Sequence, residues 1–110
     1  MNIDALVNSI EDDELRENLS QWIYEWKQDE SDINKLYELV AKWHGSVWFK
    51  DSSKQNEFWS NLQEFKEIAI KGIGGMTVNE RLYWFGLFEE WDNSDEAGQQ
   101  RIRDKLHAPA

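Results

Sequence analysis

The chain has 110 residues and a formal net charge of −10, and 40% of its residues are hydrophobic and 14% aromatic. This length suits a single domain, and the aromatic content excludes a disordered acidic tail. Cysteine is absent, which excludes disulfides and thiolate metal sites. The N-terminus lacks the basic and apolar segments of a signal peptide, and no apolar run approaches the ~20 residues of a membrane span. We therefore expect one cytoplasmic domain, residues 1–110, that contacts no membrane.

Apolar residues recur at helical spacing along most of the chain, and no stretch sustains the alternation of a strand. A first helix is predicted around residues 3–10. Three longer helices are predicted from apolar stripes, which consist of Leu15, Leu19, Trp22 and Trp26, then Leu36, Val40, Trp43 and Val47, then Phe58, Leu62, Phe65 and Ala69. Asp32 is the expected N-cap of the third helix, and Ser52 or Ser53 that of the fourth.

The glycine cluster G-I-G-G at residues 72–75 predicts a helix end followed by a turn. Thr77 and Glu80 then have the spacing of a capping box. The helix that they open is predicted to run through Gly86 to about residue 91, packed on several sides, because apolar residues surround it. A glycine inside a helix costs about 1 kcal/mol relative to alanine, so close approach of another helix is expected there.

A short terminal helix is predicted to follow, with Asn93 or Ser94 as its cap and with Ile102 and Leu106 buried. The complete set of elements predicts an all-α fold, a compact single-domain bundle of five or six helices.

The sequence shows no convincing catalytic or metal-binding motif. His44 and His107 are far apart, and Asp104 with His107 supplies only two ligands at an i, i+3 spacing. Glu89 and Glu90 are neighbours and point about 100° apart on a helix rather than across a cleft. The G-I-G-G turn lacks the lysine and spacing of a phosphate-binding loop. We therefore predict no enzymatic activity, no cofactor and no metal.

Acidic residues are distributed unevenly along the chain. Residues 1–34 carry a net charge of −8, residues 35–76 carry +1 and residues 77–100 carry −5. Three clusters hold most of this charge: Glu11, Asp12, Asp13, Glu14 and Glu17, continued along the same helix by Glu25; Asp29, Glu30 and Asp32; and Glu89, Glu90, Asp92, Asp95 and Glu96. Repulsion between neighbouring carboxylates of the first cluster costs tenths of a kcal/mol per pair. The positive end of a helix that starts near Asp12 or Asp13 offsets part of this cost. This clustering favours a basic partner over solubility alone.

Two tryptophans, Trp48 and Trp59, lie outside the regular core spacing, at the ends or flanks of the predicted helices. An exposed aromatic side chain beside charge is a common anchor of protein interfaces. The same residues could equally cover the core beneath a loop. Nucleic-acid grooves combine aromatic residues with lysine and arginine, whereas this net charge repels phosphate. We therefore add both tryptophans to the candidate partner-binding residues and expect no direct contact with nucleic acid.

The segment M-T-V-N-E-R-L at residues 76–82, followed by Y-W-F-G-L-F-E-E-W-D, resembles the C-terminal part of small bacterial all-helical immunity proteins. These include the immunity proteins of contact-dependent growth inhibition systems. The resemblance implies a cytoplasmic inhibitor that binds the toxin domain of its own system. Such toxins are often nucleases with a basic active-site cleft, and the inhibitor blocks substrate entry. No functional residues are carried over from the family.

The sequence thus predicts a binding protein, an immunity protein whose acidic helices occupy the basic substrate cleft of a cognate toxin or nuclease. Carboxylates four residues apart on a helix are separated by about 6 Å along its axis, which is comparable to successive phosphates on a strand. One alternative is a DNA-mimic inhibitor of a nucleic-acid-binding protein. Another is a helical adaptor that binds through Trp48 and Trp59. Salt distinguishes the adaptor, because it weakens an acidic interface far more than an aromatic one.

Overall fold

The computed structural model describes residues 1–108 as seven α-helices, with no strand in this range. The helices are α1 (Ile3–Asn8), α2 (Asp13–Gln28), α3 (Ile33–Ser46), α4 (Ser52–Phe65), α5 (Val78–Phe85), α6 (Phe88–Asp92) and α7 (Glu96–Lys105). A π-helical turn, Lys66–Ile70, extends α4, and a 3-10 turn, Ile73–Gly75, follows it. The predicted all-α bundle is confirmed, although it contains one helix more than the upper expected number.

The bundle is longer in one direction than in the others, with dimensions of 44 × 25 × 18 Å. Helix α1 packs against α2, α4 and α5, so this short N-terminal helix joins parts of the chain that are distant in sequence. Helix α2 packs against α3, while α6 lies between α5 and α7. The first acidic cluster lies at the start of α2, which contacts α1, whereas the third lies on α6 and the corner between α6 and α7.

The predicted apolar stripes form the core. Among the largest fully buried side chains are Trp26, Trp43, Phe65 and Phe85. The ring centroids of Trp26 and Phe85 lie 6.2 Å apart, and those of Phe65 and Phe85 lie 5.4 Å apart at an interplanar angle of 71°. Edge-to-face pairs of this kind add stability beyond the area that they bury. Most residues of the three predicted stripes are buried as expected, while Leu15, Trp22 and Val47 are only partly buried.

The long helix predicted after Thr77 is wrong beyond residue 85. Gly86 has a φ of 66°, in the left-handed region, and it forms the C-cap of α5. The chain then starts a new helix at Phe88, which accounts for the additional helix. A Cβ atom at Gly86 would clash with Oδ2 of Asp4. The expected close approach to Gly86 does occur. It is made by the Asp4 side chain of α1 at the end of α5, and not by a second helix packed against a helix interior.

Helix starts follow the capping rules, and several predictions of caps are confirmed. Asp12 accepts a hydrogen bond from the Leu15 amide at 3.1 Å and begins α2. Asp32 caps α3. Thr77 and Glu80 form the predicted capping box, with both hydrogen bonds at 3.1 Å.

The predicted caps of α4 and α7 are wrong by one or two residues. Asp51, rather than Ser52 or Ser53, caps α4 by accepting a hydrogen bond from the Ser53 amide at 2.9 Å. Asp95, rather than either of the two residues before it, caps α7 through the Gly98 amide, also at 2.9 Å. A carboxylate accepts hydrogen bonds more strongly than a hydroxyl and also faces the positive helix end. Several acids of the predicted partner surface thus have a structural task.

Candidate acidic groove

An open groove of about 930 Å³ lies between α2 and α6, bordered by α1, by the connection between α6 and α7 and by Arg101 of α7. Its acidic side chains are Asp4, Glu17, Glu89 and Glu90. Glu17 faces the groove because residues 17, 21, 24 and 28 lie on one side of α2 at helical spacing. The structure therefore brings one acid of the first cluster together with two acids of the third. We call this groove, with its lining residues, the acidic groove.

Two cationic side chains also line the acidic groove, and both have partners inside the molecule. The Lys27 ammonium lies 3.2 Å from Oδ1 of Asp4. Nη1 of Arg101 donates to the carbonyl oxygens of Asp29 at 2.9 Å and Lys27 at 3.5 Å. Arg101 thereby neutralises the negative end of α2. Glu17 makes no ion pair within residues 1–108, so the groove keeps an excess of negative charge.

Glu90 has an unusual position in the acidic groove. Its Oε2 atom is buried and has no hydrogen-bond partner among the described residues. A buried acceptor without a donor costs roughly 1–3 kcal/mol, and more when it is charged.

Exposed aromatic side chains extend the acidic groove at its α5–α6 end. A second depression of about 260 Å³ shares its acids Asp4, Glu89 and Glu90 and adds Tyr83 and Phe88. These two aromatic side chains are 54% and 43% exposed. Both lie in the apolar run after Thr77, which the sequence predicts to be one helix packed on several sides, and the prediction that they are buried is wrong. The sequence feature that could have predicted their exposure is Gly86, because glycine favours the left-handed C-cap that ends α5.

The second acidic cluster fastens the C-terminal helix to the rest of the fold. The Lys105 ammonium donates to Oδ1 of Asp29 at 2.9 Å, and Nε2 of His107 lies 2.9 Å from Oδ2 of Asp32. The hydrogen bond from His107 lowers the pKa of Asp32 below its usual value. Burial acts to raise the pKa of Asp29, but hydrogen bonds from Ser31 and Lys105 outweigh it, and the pKa is lowered. Both carboxylates therefore have partners within the molecule.

The start of the first acidic cluster is also partly engaged. Asp12 caps α2, and Oδ1 of Asp13 accepts a hydrogen bond from the Arg16 guanidinium at 2.5 Å. Glu11 lies 3.5 Å from the Lys54 ammonium, and both side chains are largely exposed. Exposed pairs of this kind stabilise a fold by at most about 1 kcal/mol, so a partner could displace them.

The remaining candidate acids lie on the surface away from the acidic groove. Glu14 and Glu25 are exposed on α2, and Asp92 and Glu96 are exposed at the α6–α7 corner. Glu30 is exposed beside the fastened pair of aspartates. None of these five lines the groove. Their place in a partner interface stays a prediction.

The two candidate tryptophans differ in their surroundings. Trp48 is 87% exposed, and Trp59 is 38% exposed with its ring centroid 5.0 Å from that of His44. His44 is half-buried, and its Nε2 atom lies 3.1 Å from the Gln55 carbonyl oxygen, so this ring nitrogen has a hydrogen-bond partner within the molecule. Trp48 is therefore the side chain of the pair with a large apolar surface available to a partner.

The part of the chain that the structure describes contains no group of three or more His, Asp or Glu side chains arranged to hold a metal ion. Nε2 of His107 bonds to Asp32, while Gln100 donates to Oδ1 of Asp104 at 3.0 Å. Within residues 1–108, every helix is too short or too polar to cross a membrane.

Comparisons with protein-family models, with curated proteins and with solved structures gave no match to this chain. The chemistry of the acidic groove is therefore interpreted from its own geometry. Carboxylates without an ion-pair partner and flanking exposed aromatic rings are features that bind a cationic, partly apolar surface.

Proposed function

We propose that this chain is a binding protein whose acidic groove receives a basic segment of a partner protein. The support for this is the convergence of Glu17, Glu89 and Glu90 on one groove whose two cations already have internal partners. A surface of one charge sign steers an oppositely charged partner and can raise association rates by roughly 10–10³. The exposed aromatic rings beside the acids add apolar contact area to such an interface.

We further propose that the partner is a cognate toxin of the nuclease type and that the chain acts as its immunity protein. The segment that resembles immunity proteins, residues 76–92, contributes Glu89, Glu90 and both exposed aromatic side chains of α5 and α6. A nuclease cleft is lined by cations that bind phosphates. Carboxylates of the groove would replace those phosphates, and the bound inhibitor would exclude the nucleic acid.

Co-expression with the protein encoded by the neighbouring gene tests this function. The wild-type chain is expected to form a complex with that protein and to suppress its nuclease activity. The double variant Glu17→Lys and Glu89→Lys should lose protection, because it reverses two exposed groove charges. Glu38→Lys with Glu64→Lys is the matched control, since it makes the same charge change at exposed positions outside the groove. Equal protection by both variants, or no complex, would contradict the proposal.

A helical adaptor is a second candidate, favoured by the 87% exposure of Trp48. Tryptophan is among the residues most often found at the energetic centre of protein interfaces. An interface centred on Trp48 would keep its affinity at high salt, whereas one centred on the acidic groove would lose it. The variant Trp48→Ala should then abolish binding that Glu17→Lys leaves intact.

A further inference from the structure

A second, smaller cavity lies where the α1–α2 connection meets the start of α4. Its volume is about 310 Å³, and it shares no lining residue with the acidic groove. Its apolar wall consists of Ile10, Phe49 and Phe58, which are buried, and Leu15, which is half-buried. Pockets that hold small groups have volumes of roughly 300–1,000 Å³. This cavity is therefore large enough for a single apolar group.

The aromatic wall of the cavity is held in place from behind. The ring of Phe58 packs edge-on against Trp43 at a centroid distance of 5.5 Å and lies 6.1 Å from the ring of Phe49. Trp43 in turn donates from Nε1 to Oδ1 of Asn18 at 2.8 Å. A wall fixed in this way needs little rearrangement to bind a ligand, which reduces the cost of binding.

The mouth of the cavity is charged, and acids outnumber bases. Its charged side chains are Glu11, Asp12, Lys50, Asp51, Lys54 and Glu57. The Lys54 ammonium is shared between Glu11 at 3.5 Å and Glu57 at 3.7 Å. One cation shared by two carboxylates leaves negative charge at the rim, so the mouth favours a cationic group over an anionic one.

Trp48 lies next to this cavity along the chain. It directly precedes Phe49, Lys50 and Asp51, all three of which line the cavity, while its own side chain is 87% exposed. Consecutive Cα atoms are 3.80 Å apart. The backbone of Trp48 therefore adjoins the cavity wall, and its exposed ring can attract a cation through its face.

We infer that this cavity holds an aromatic side chain of the protein partner, carried next to a lysine or arginine that reaches Glu11 and Glu57. This inference rests on the proposed function, because its occupant comes from the same basic partner. The partner would then contact the chain at a second point. There an apolar side chain fixes the orientation of the partner, which long-range charge attraction does not fix by itself.

Two small probes of opposite charge test the cavity without the partner. The probes are 2-phenylethylammonium and 3-phenylpropionate, each titrated at low salt into the isotope-labelled full chain and followed by NMR. The cation is expected to shift the signals of Phe49, Phe58 and Lys54 saturably. The anion should bind at least about fivefold more weakly, because four carboxylates against two ammonium groups give the rim a net negative charge. No saturable shift at the cavity, or equal binding of the anion, would overturn the inference.

A pair of substitutions on α4 provides the structural control. Asn61 lines the cavity and is half-buried, whereas Asn56 is exposed on the same helix and does not line it. Asn61→Phe should abolish binding of the cation by filling the space, and Asn56→Phe should leave it unchanged. Binding that survives Asn61→Phe would contradict the location. Because the comparison of the two probes uses the wild-type chain, it decides the matter even if Asn61→Phe does not fold. If the wild-type chain binds the cationic probe but does not inhibit the partner, the proposed function is refuted and the cavity site is not.

Discussion

Replacement of the buried Lys105 by methionine is expected to destabilise the fold. Lys105 is 2% exposed, and its ammonium donates to the carbonyl oxygens of Trp26 at 2.6 Å and Ser31 at 2.5 Å and to Oδ1 of Asp29 at 2.9 Å. The same ammonium lies 4.1 Å from the centroid of the Trp26 ring. These contacts join α7 to the end of α2 and to the connection that follows. Methionine keeps most of the side-chain volume but supplies no donor.

The loss of stability in Lys105→Met depends on which of the three acceptors of the Lys105 ammonium keep another hydrogen-bond donor. The Trp26 carbonyl still accepts from the Asp29 amide at 3.2 Å, and Oδ1 of Asp29 still accepts from the Ser31 amide at 2.9 Å. The Ser31 carbonyl loses its lysine donor, which costs roughly 1–3 kcal/mol. Loss of the cation–π contact adds to this, while relief of the buried ammonium's desolvation offsets part of it. We expect a net loss of about 2 kcal/mol, or about 8 °C in Tm.

Thermal and urea unfolding, followed by circular dichroism, measure this loss. Lys71→Met is the matched control, because the Lys71 ammonium pairs with Glu67 at 2.7 Å on the exposed surface. Such exposed i, i+4 pairs stabilise a helix by about 0.3–0.5 kcal/mol, so Tm should change little. If Lys105→Met were as stable as the wild type, desolvation of the ammonium would cancel its hydrogen bonds and the fastening role would be refuted.

Three further predictions concern single positions. Gly86→Ala should lower the free energy of unfolding by about 1–2 kcal/mol because φ is 66° there, whereas Gly45→Ala, with open space around its Cβ position, should not; equal effects in urea unfolding would contradict this. The pKa of Asp32 is lowered by His107, so its stabilisation is present above pH 3.8 and is lost as pH falls through the lower folded value. His107→Ala should therefore flatten the fall in urea midpoints below about pH 4, and an unchanged slope would argue against the pair. Trp48→Phe should reduce acrylamide quenching of tryptophan fluorescence without changing Tm, because the side chain is 87% exposed; unchanged quenching would contradict that exposure.

The helices and core could be predicted because each stripe of apolar residues has one period and must be buried on one side. Phe58, Leu62, Phe65 and Ala69 are all buried as that rule requires. The rule fails after Thr77, where apolar residues surround the helix and give no preferred side. There the backbone preference of a single glycine decides the structure, and the close position of Asp4 at that turn comes from a helix distant in sequence.

The sequence predicts that acidic residues form the candidate site, but it does not predict which of them meet on one surface. Clustered acids are visible in the sequence, yet the fold unites Glu17 with Glu89 and assigns Asp29 and Asp32 to basic residues near the C-terminus. Each of these outcomes depends on contacts between segments far apart in the chain. Sequence spacing carries no information about them, because helical periodicity describes one element at a time.

Affinity for the protein encoded beside this chain, measured by calorimetry at about 50 mM and about 500 mM salt, tests whether the acidic groove is the binding surface. We expect affinity to fall steeply with salt. We also expect the variant Glu17→Lys with Glu89→Lys to bind at least about tenfold more weakly at low salt, and the control variant Glu38→Lys with Glu64→Lys to stay close to wild type. An affinity that does not depend on salt and is equal in the two variants would contradict the acidic groove as the site of binding.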